Sequence, residues 1–232
     1  MRKFQVMLKK WLSYIIPINI RKEKSLWSKT LEVTWANGEL VLDSAHTNYS
    51  YGSLQRILRK GMLKIGFKRI QQMNHILVLG VAGGSVVKTI NNEIKYLNKI
   101  TGVEIDPGVI ALANDFFGLN QISNLELIND DAFEYVLRTK EKFDLIIIDI
   151  FQDTKMPNFL FESFFVSRIL EICSSNGIIL FNTMCLNETD NKRNVTYLEA
   201  LKKHNVHVQT IPRIEAHNEI IIIEKLGNHS AS

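Results

Sequence analysis

The feature that most constrains the fold is an alternation of short apolar runs with helix-like stretches from residue 75 onward. The apolar runs occupy residues 76–80, 100–105, 125–128, 143–149 and 178–182. The run "FDLIIID" is apolar without alternation, which is typical of a strand buried on both faces. This order predicts five parallel strands with helices on both faces of one sheet.

The last two β-like runs, "VHVQTIP" and "EIIIIEK", are too close in sequence for a helical crossover and should pair antiparallel. The expected fold is therefore α/β: a doubly wound, mostly parallel seven-stranded sheet of Rossmann type that ends in an antiparallel hairpin. Ahead of it, "TLEVTWANGELVLDS" predicts a hairpin around Asn37-Gly38. We expect a basic arm, hairpin and linking helix over 1–72, a nucleoside-binding catalytic domain over 73–226, and a flexible tail over 227–232.

The charge of the chain is concentrated near its beginning. Residues 1–30 hold eight basic residues and one acidic residue, a net charge of +7, whereas all 232 residues together carry +4. The remaining residues therefore carry −3, which argues against a nucleic-acid-binding body. The apolar patch over residues 11–20 is too short for a membrane span and lacks a cleavage site, so no transmembrane segment or signal peptide is expected.

Two cysteines do not provide a disulfide framework, and the six histidines show no metal-ligand spacing. We therefore expect a cytoplasmic protein without a metal. The basic arm is predicted to be an amphipathic helix that docks on the body or a partner subunit, on a membrane surface or an acidic partner, or on nucleic acid. Its apolar face would consist of Phe4, Met7, Leu8, Trp11, Leu12 and Ile15.

The turn after the first strand, "GVAGGS", indicates a nucleotide-like ligand. No phosphate-loop lysine-serine pair follows it, and Ser85 stands where a dinucleotide fingerprint needs glycine. Glu104, at the end of the second strand, can accept hydrogen bonds from ribose hydroxyls. Asp131-Ala132 can contact adenine or begin a helix, and both roles are compatible. With no cationic clamp for a pyrophosphate, the pattern favours S-adenosylmethionine.

Residues 76–182 resemble the catalytic domain of spermidine synthase-like proteins in the class I S-adenosylmethionine-dependent methyltransferase-fold superfamily. The stretches that match are "ILVLGVAGGS", "GVEIDPGVIALANDFFGL", "INDDAFEYV", "KFDLIIIDIFQD" and "NGIILFNT". The resemblance implies a homodimer that acts on a small molecule. It also implies a cofactor site made by Gly80, Ala82, Gly83, Gly84, Glu104, Ile105, Asp131, Ala132 and Asp149.

Three departures from that family bear on the reaction. Gly83 stands where the family has an aspartate near the amine tail of decarboxylated S-adenosylmethionine. Thr47-Asn48 replaces an acidic pair, and the acidic loop that begins at Asp149 has its second aspartate, Asp153, displaced by one position. A missing negative charge at residue 83 favours the carboxylated cofactor, and hence methyl transfer to an unidentified small acceptor. Aminopropyl transfer from the decarboxylated form, or nucleoside binding without catalysis, are the alternatives.

Asp149 is the candidate catalytic residue because it ends a buried strand beside the expected cofactor. As a carboxylate it can accept a proton from an attacking amine or hydroxyl, or orient the acceptor. Its alternative role is a loop or helix-cap hydrogen bond. Tyr49, Tyr51 and Asp153 are further candidates for lining the acceptor site.

Overall fold

The computed structural model describes residues 2–44, 48–50, 53–151, 155–215 and 217–227. A helix and a four-stranded antiparallel sheet come first, followed by two helices that lead into the core. Their bounds are α1 Arg2–Leu12, β1 Ile18–Ser25, β2 Lys29–Ala36, β3 Glu39–Ser44, β4 Asn48–Ser50, α2 Ser53–Ile65 and α3 Phe67–Gln71.

The core is a seven-stranded α/β sheet. Its strands are β5 His75–Leu79, β6 Lys99–Glu104, β7 Leu125–Asn129, β8 Phe143–Ile148, β9 Cys173–Met184, β10 Val206–Ile214 and β11 Asn218–Lys225. They are ordered β10-β11-β9-β8-β5-β6-β7. Strands β5 to β9 run parallel, and β11 pairs antiparallel with β9 and β10. The predicted doubly wound sheet with its terminal hairpin is confirmed.

Helices cover both faces of this sheet, because its central strands are apolar on both sides. The helices of the core are α4 Ser85–Lys88, α5 Pro107–Phe117, α6 Ala132–Arg138, α7 Ser163–Ile172 and α8 Glu188–Leu201. One apolar cluster joins alternate residues of β5 and β8, such as Ile76 and Leu145, to Met62 of α2. The other cluster joins Leu77 and Ile146, on the opposite face of the sheet, to residues of α6, α7 and α8. No helix among the described residues is long and apolar enough to cross a membrane.

The structure differs from the sequence prediction in three places. The predicted N-terminal hairpin is the β2–β3 part of a larger sheet, since the charged segment β1 adds a strand that its composition did not suggest. The helix expected over residues 85–96 is α-helical only to Lys88 and continues as a π-helical turn over Thr89–Glu93. The spacing of Phe159, Phe161, Phe164 and Phe165 predicts a helix that packs these side chains on the sheet, but Phe164 is 61% exposed, whereas Phe165 is buried.

The N-terminal sheet is fastened to the core at the start of α5. Asp106 is buried and caps this helix by accepting from the Gly108 amide (2.8 Å). Its other oxygen accepts from the hydroxyls of Ser25 and Ser28, on either side of the β1–β2 turn. One carboxylate therefore serves both as a helix cap and as the link between the two sheets.

We expect Asp106→Ala to lower the free energy of unfolding by about 2–4 kcal/mol, measured by urea denaturation. The change removes a helix cap, which is worth about 1 kcal/mol, and the charged acceptor of the Ser25 hydroxyl, which is worth about 1.5–3 kcal/mol, whereas the longer contact from Ser28 (3.4 Å) adds little. Asp131→Ala is the matched control, because Asp131 caps α6 in the same way through the Phe133 amide (2.7 Å). Equal losses in the two variants would show that the link to the N-terminal sheet contributes nothing.

Candidate active site

The predicted site residues lie along one edge of the sheet, where four parallel strands end. Asp149, Gly80 and Glu104 follow or end β8, β5 and β6, and Asp131 lies two residues after β7; these four strands are neighbours in that order. Backbone hydrogen bonds continue across this edge. The amide of Asp149 donates to the carbonyl of Leu79 (2.9 Å), that of Gly80 to Val103 (3.0 Å) and that of Asp130 to Glu104 (3.1 Å). These residues therefore lie at one edge of the sheet, as the topology of an open α/β sheet requires.

The glycine turn after β5 depends on backbone angles that favour glycine. Gly80 has φ +84°, and a Cβ there would overlap the carbonyl of Asp149. Gly84 has φ +78°, and a Cβ there would overlap Leu119. Ala82 takes a positive φ of 49° without being glycine. The turn therefore has a fixed shape, set by contacts with the loops after β8 and α5.

Glu104 holds this turn from the neighbouring strand. Its Oε2 accepts from the amides of Val81 (3.1 Å) and Ala82 (3.0 Å), and its Oε1 accepts from the amide of Asp106 (3.1 Å). Burial raises the pKa of Glu104 and outweighs the three amides, which lower it. A carboxylate has about four lone-pair positions, so roughly one remains, on Oε1. Sequence reasoning did not foresee this contact with the turn.

The neighbouring strand end places Asp131 and Ile105 close together. Asp131 Oδ1 caps α6, which begins at Ala132, by accepting from the Phe133 amide. The second carboxylate oxygen of Asp131, Oδ2, can accept from another donor. Asn129 donates from Nδ2 to the carbonyls of Glu104 (2.9 Å) and Ile105 (3.0 Å), which fixes the chain between β6 and α5. The helix-cap role of Asp131 is present, and contact with adenine stays a prediction.

Asp149 belongs to a chain of buried amides that the sequence reasoning missed. Asn182, on β9 and inaccessible to solvent, donates from Nδ2 to Asp149 Oδ1 (2.8 Å). Asn218, on β11, donates in turn to Asn182 Oδ1 (3.0 Å). Burial raises the pKa of Asp149 to about 6, while the Asn182 hydrogen bond lowers it. An asparagine inside the apolar run "GIILFNT" was the available signal, because buried amides need partners.

A cavity of about 230 Å³ opens beside the glycine turn. Its charged lining residues are Lys88 and Glu93, and Glu93 pairs with Arg59 (2.6 Å). The Lys88 ammonium lies 4.9 Å from the centre of the Phe117 ring, and burial lowers its pKa. The remaining lining residues are uncharged: Gln55, Gly83, Ser85, Asn92 and Phe117.

The candidate acceptor residues are only partly covered by the structure. Tyr49 lies on the short strand β4, which pairs with β3. Tyr51 and Asp153 fall outside the described residues, so their roles stay predictions. Among the residues that are described, no group of three His, Cys, Asp or Glu side chains could hold a metal ion.

Comparison with known proteins identifies the family of the chain. Residues 57–225 match the family model of the spermine/spermidine synthase domain. The chain belongs to this family. A polyamine aminopropyltransferase of Buchnera aphidicola subsp. Acyrthosiphon pisum (strain Tuc7) is 33% identical over 134 residues, which cover 56% of this chain and 46% of that protein. The earlier resemblance to spermidine synthase-like proteins is thereby confirmed.

Other similar proteins are named for methyl transfer or for spermidine synthesis. An eEF1A lysine and N-terminal methyltransferase homolog of Drosophila melanogaster is 28% identical over 125 residues, 49% of this chain and 18% of that protein. The crystal structure of a probable spermidine synthase from Corynebacterium glutamicum ATCC 13032 superposes with a TM-score of 0.66 at 15% identity, covering 90% of this chain and 79% of that one. The chain spans less than half the length of the Buchnera and Drosophila relatives.

Proposed function

We propose that this chain is a transferase that binds intact S-adenosylmethionine and directs its methyl group to a small acceptor. The fold and the family support a transferase that binds an adenosyl sulfonium compound. The choice between methyl and aminopropyl transfer depends on which tail the site accepts. The two cofactors differ there by one carboxylate, which is present in S-adenosylmethionine and missing from its decarboxylated form.

The observation that carries this choice is the charge of the cavity beside Gly83. Because Glu93 is paired with Arg59, Lys88 is left as the net charge among the lining residues. A half-buried ammonium next to the glycine turn attracts a carboxylate and repels a bare amine. An aspartate at residue 83 would reverse this preference, and this chain has glycine there.

The other residues of the site fit the adenosyl part of the ligand. Glu104 has about one acceptor position left for a ribose hydroxyl, on Oε1. A second hydroxyl would have to replace one of the turn amides. The second oxygen of Asp131 can accept from the adenine amino group, while Ile105 and Ala132 provide apolar surface beside it. Gly80, Ala82 and Gly84 supply the shape of the turn.

Asp149 is the residue we assign to the chemistry. The sulfonium of the bound cofactor supplies an electrophilic methyl carbon. The Asp149 carboxylate, with Oδ1 held by Asn182, has Oδ2 left to accept a proton from an amine or hydroxyl nucleophile. Alignment of that nucleophile accounts for much of the rate in a direct displacement, so the fixed position of Asp149 matters as much as its basicity.

Aminopropyl transfer is the second candidate, and the name of the Buchnera relative favours it. Glu104 and Asp149 would serve that reaction equally well. Against it, Gly83 and Lys88 offer no negative charge to an amine tail, and Thr47-Asn48 replaces the family's acidic pair. The acceptor would be a small amine in aminopropyl transfer, and a small amine or hydroxyl compound in methyl transfer.

Calorimetry with both cofactors tests the proposal. We expect intact S-adenosylmethionine to bind at least about tenfold tighter than the decarboxylated form, a difference of about 1.4 kcal/mol. Gly83→Asp should reverse this order, and Gly83 lacks the positive φ of Gly80 and Gly84, so its φ is not one that disfavours an aspartate. Lys88→Met should weaken binding of the intact cofactor roughly five- to tenfold and spare the decarboxylated form.

Lys95→Met, an exposed lysine just beyond the π-helical turn, is the control for Lys88. Tighter binding of the decarboxylated cofactor by the unmodified protein would establish aminopropyl transfer instead. Failure of the folded protein to bind either compound would favour a non-catalytic role. Methyl transfer itself is measured with a radiolabelled methyl group and a panel of small amines and hydroxyl compounds.

A further inference from the structure

Helix α1 exposes its apolar side to solvent. Trp11 is 68% exposed, and Ile15, in the turn after the helix, is 80% exposed. Met7, Leu8 and Leu12 are also exposed. At 3.6 residues per turn these five side chains lie on one face. The prediction that the body itself would cover this face does not hold for the described residues.

The body holds the opposite side of the same helix. Ser13 continues the helical pattern by donating from its amide to the Lys9 carbonyl (3.0 Å), and it is almost completely buried. Its carbonyl accepts from the Asn37 amide (3.0 Å) and its hydroxyl accepts from the Gly38 amide (3.0 Å). Ser13 lies about half a turn away from Trp11 and Ile15. The β2–β3 turn thus fastens α1 with its apolar face directed outward.

The charge of α1 indicates what covers that face. Its sequence, RKFQVMLKKWL, contains four basic residues and no acidic one. Lys9 and Lys10 are exposed and flank the apolar face on its two sides. Among the described residues, neither lysine has an acidic partner. An apolar face bordered by lysines, with a tryptophan in it, is the pattern of a helix that lies in a lipid interface.

We propose that α1 binds the surface of an anionic lipid membrane, with Trp11, Ile15 and their neighbours in the acyl boundary and Lys9 and Lys10 at the headgroups. Pairing of two copies through this face would bring two sets of four positive charges together, which opposes self-association. Nucleic acid would neutralise the lysines and leave the apolar side chains in water. An anionic bilayer satisfies both the charge and the apolar surface.

Sedimentation of the full chain with vesicles tests this proposal. Vesicles of phosphatidylcholine and phosphatidylglycerol at 3:1 should bind the protein at least about tenfold more strongly than phosphatidylcholine alone, and high salt should reduce the difference. Trp11→Glu with Ile15→Glu should lower partitioning by at least about tenfold, and so should Lys9→Glu with Lys10→Glu.

Two controls are matched to these variants. Leu97→Glu changes an apolar side chain that is 85% exposed elsewhere, and Lys64→Glu with Lys68→Glu changes two exposed lysines elsewhere. Both should leave vesicle binding unchanged. Equal binding to the two kinds of vesicle, or equal loss in variants and controls, overturns the proposal. A combination of two results also overturns the proposal. In the first, sedimentation velocity without vesicles shows a dimer that Trp11→Glu with Ile15→Glu converts to monomer; in the second, vesicles bind no protein.

Discussion

Replacing Asp149 with asparagine should reduce the rate of group transfer by roughly 10²–10⁴-fold while the protein stays folded. Asparagine keeps an oxygen that can accept the Asn182 hydrogen bond (2.8 Å in the native chain) but cannot take a proton from the acceptor. Turnover under saturating cofactor measures the effect. Asp130→Asn is the matched control, because Asp130 follows β7 at the same edge of the sheet and pairs with Arg138 at the surface. Similar losses in both variants would contradict the assignment.

The pH dependence of Asp149 gives a second measure of its role. Because the pKa is raised from 3.8 to about 6, the carboxylate form is lost as pH falls through about 6, and the rate should fall with it. Asn182→Ala removes a hydrogen bond to the charged form, so it should move this decline to higher pH. An unchanged decline in that variant would show that another group controls the rate.

The same raised pKa has a consequence for stability, with the opposite sign from a salt-bridged carboxylate. Between pH 3.8 and about 6 the folded chain binds this proton more tightly than the unfolded chain does. Ionisation of Asp149 therefore lowers stability as pH rises through this window, by up to about 3 kcal/mol. Asp149→Asn should remove that penalty at pH 7.5. Urea midpoints of both proteins measure it.

Glu104→Ala should weaken cofactor binding by roughly 2–4 kcal/mol, or about 30- to 1000-fold. The change removes the acceptor of three amides and of any ribose hydroxyl, so it disturbs both the turn and the ligand contact. Calorimetry with S-adenosylmethionine measures the loss. Glu126→Ala, at an exposed glutamate on the next strand that pairs with Lys99 (3.0 Å), is the control and should bind normally.

A ligand without ribose hydroxyls separates the two roles of Glu104. If Glu104 binds the ribose, removing the 2′- and 3′-hydroxyls should weaken binding to the native protein and have a smaller effect on Glu104→Ala. If Glu104 only shapes the turn, the two losses should add, because they are independent. Additive losses, or native affinity in the variant, would contradict the placement of the ribose.

Much of the fold followed from the sequence because strands buried on both faces have few alternatives. The run "FDLIIID" became β8, and Asp106-Pro107 began α5 as a capped helix with proline in its first turn. The charged strand β1 was missed because it pairs only with β2 and takes its register from that partner. The π-helical turn after Lys88 was missed because its residues read as an ordinary helix.

For the site, the sequence placed the carboxylates but not their partners. Gly80, Glu104 and Asp149 were expected at one strand edge, since parallel strands end together. Nothing in the local sequence indicated that Glu104 accepts hydrogen bonds from the turn amides. Nor did it indicate that Asn182 donates to Asp149 and Asn218 to Asn182, because β9 and β11 approach Asp149 only in the folded sheet. Contacts of this kind depend on strand order, which periodicity does not specify.

Only Ile105 separates Glu104, which holds the glycine turn, from Asp106, which holds the β1–β2 turn. We therefore expect binding at the proposed nucleoside site to be coupled to attachment of the N-terminal sheet, and such a coupling would be reciprocal, with the same free energy in both directions. Protection of the β1 and β2 amides from hydrogen exchange should thus rise when the cofactor binds, at a distance from any atom it touches.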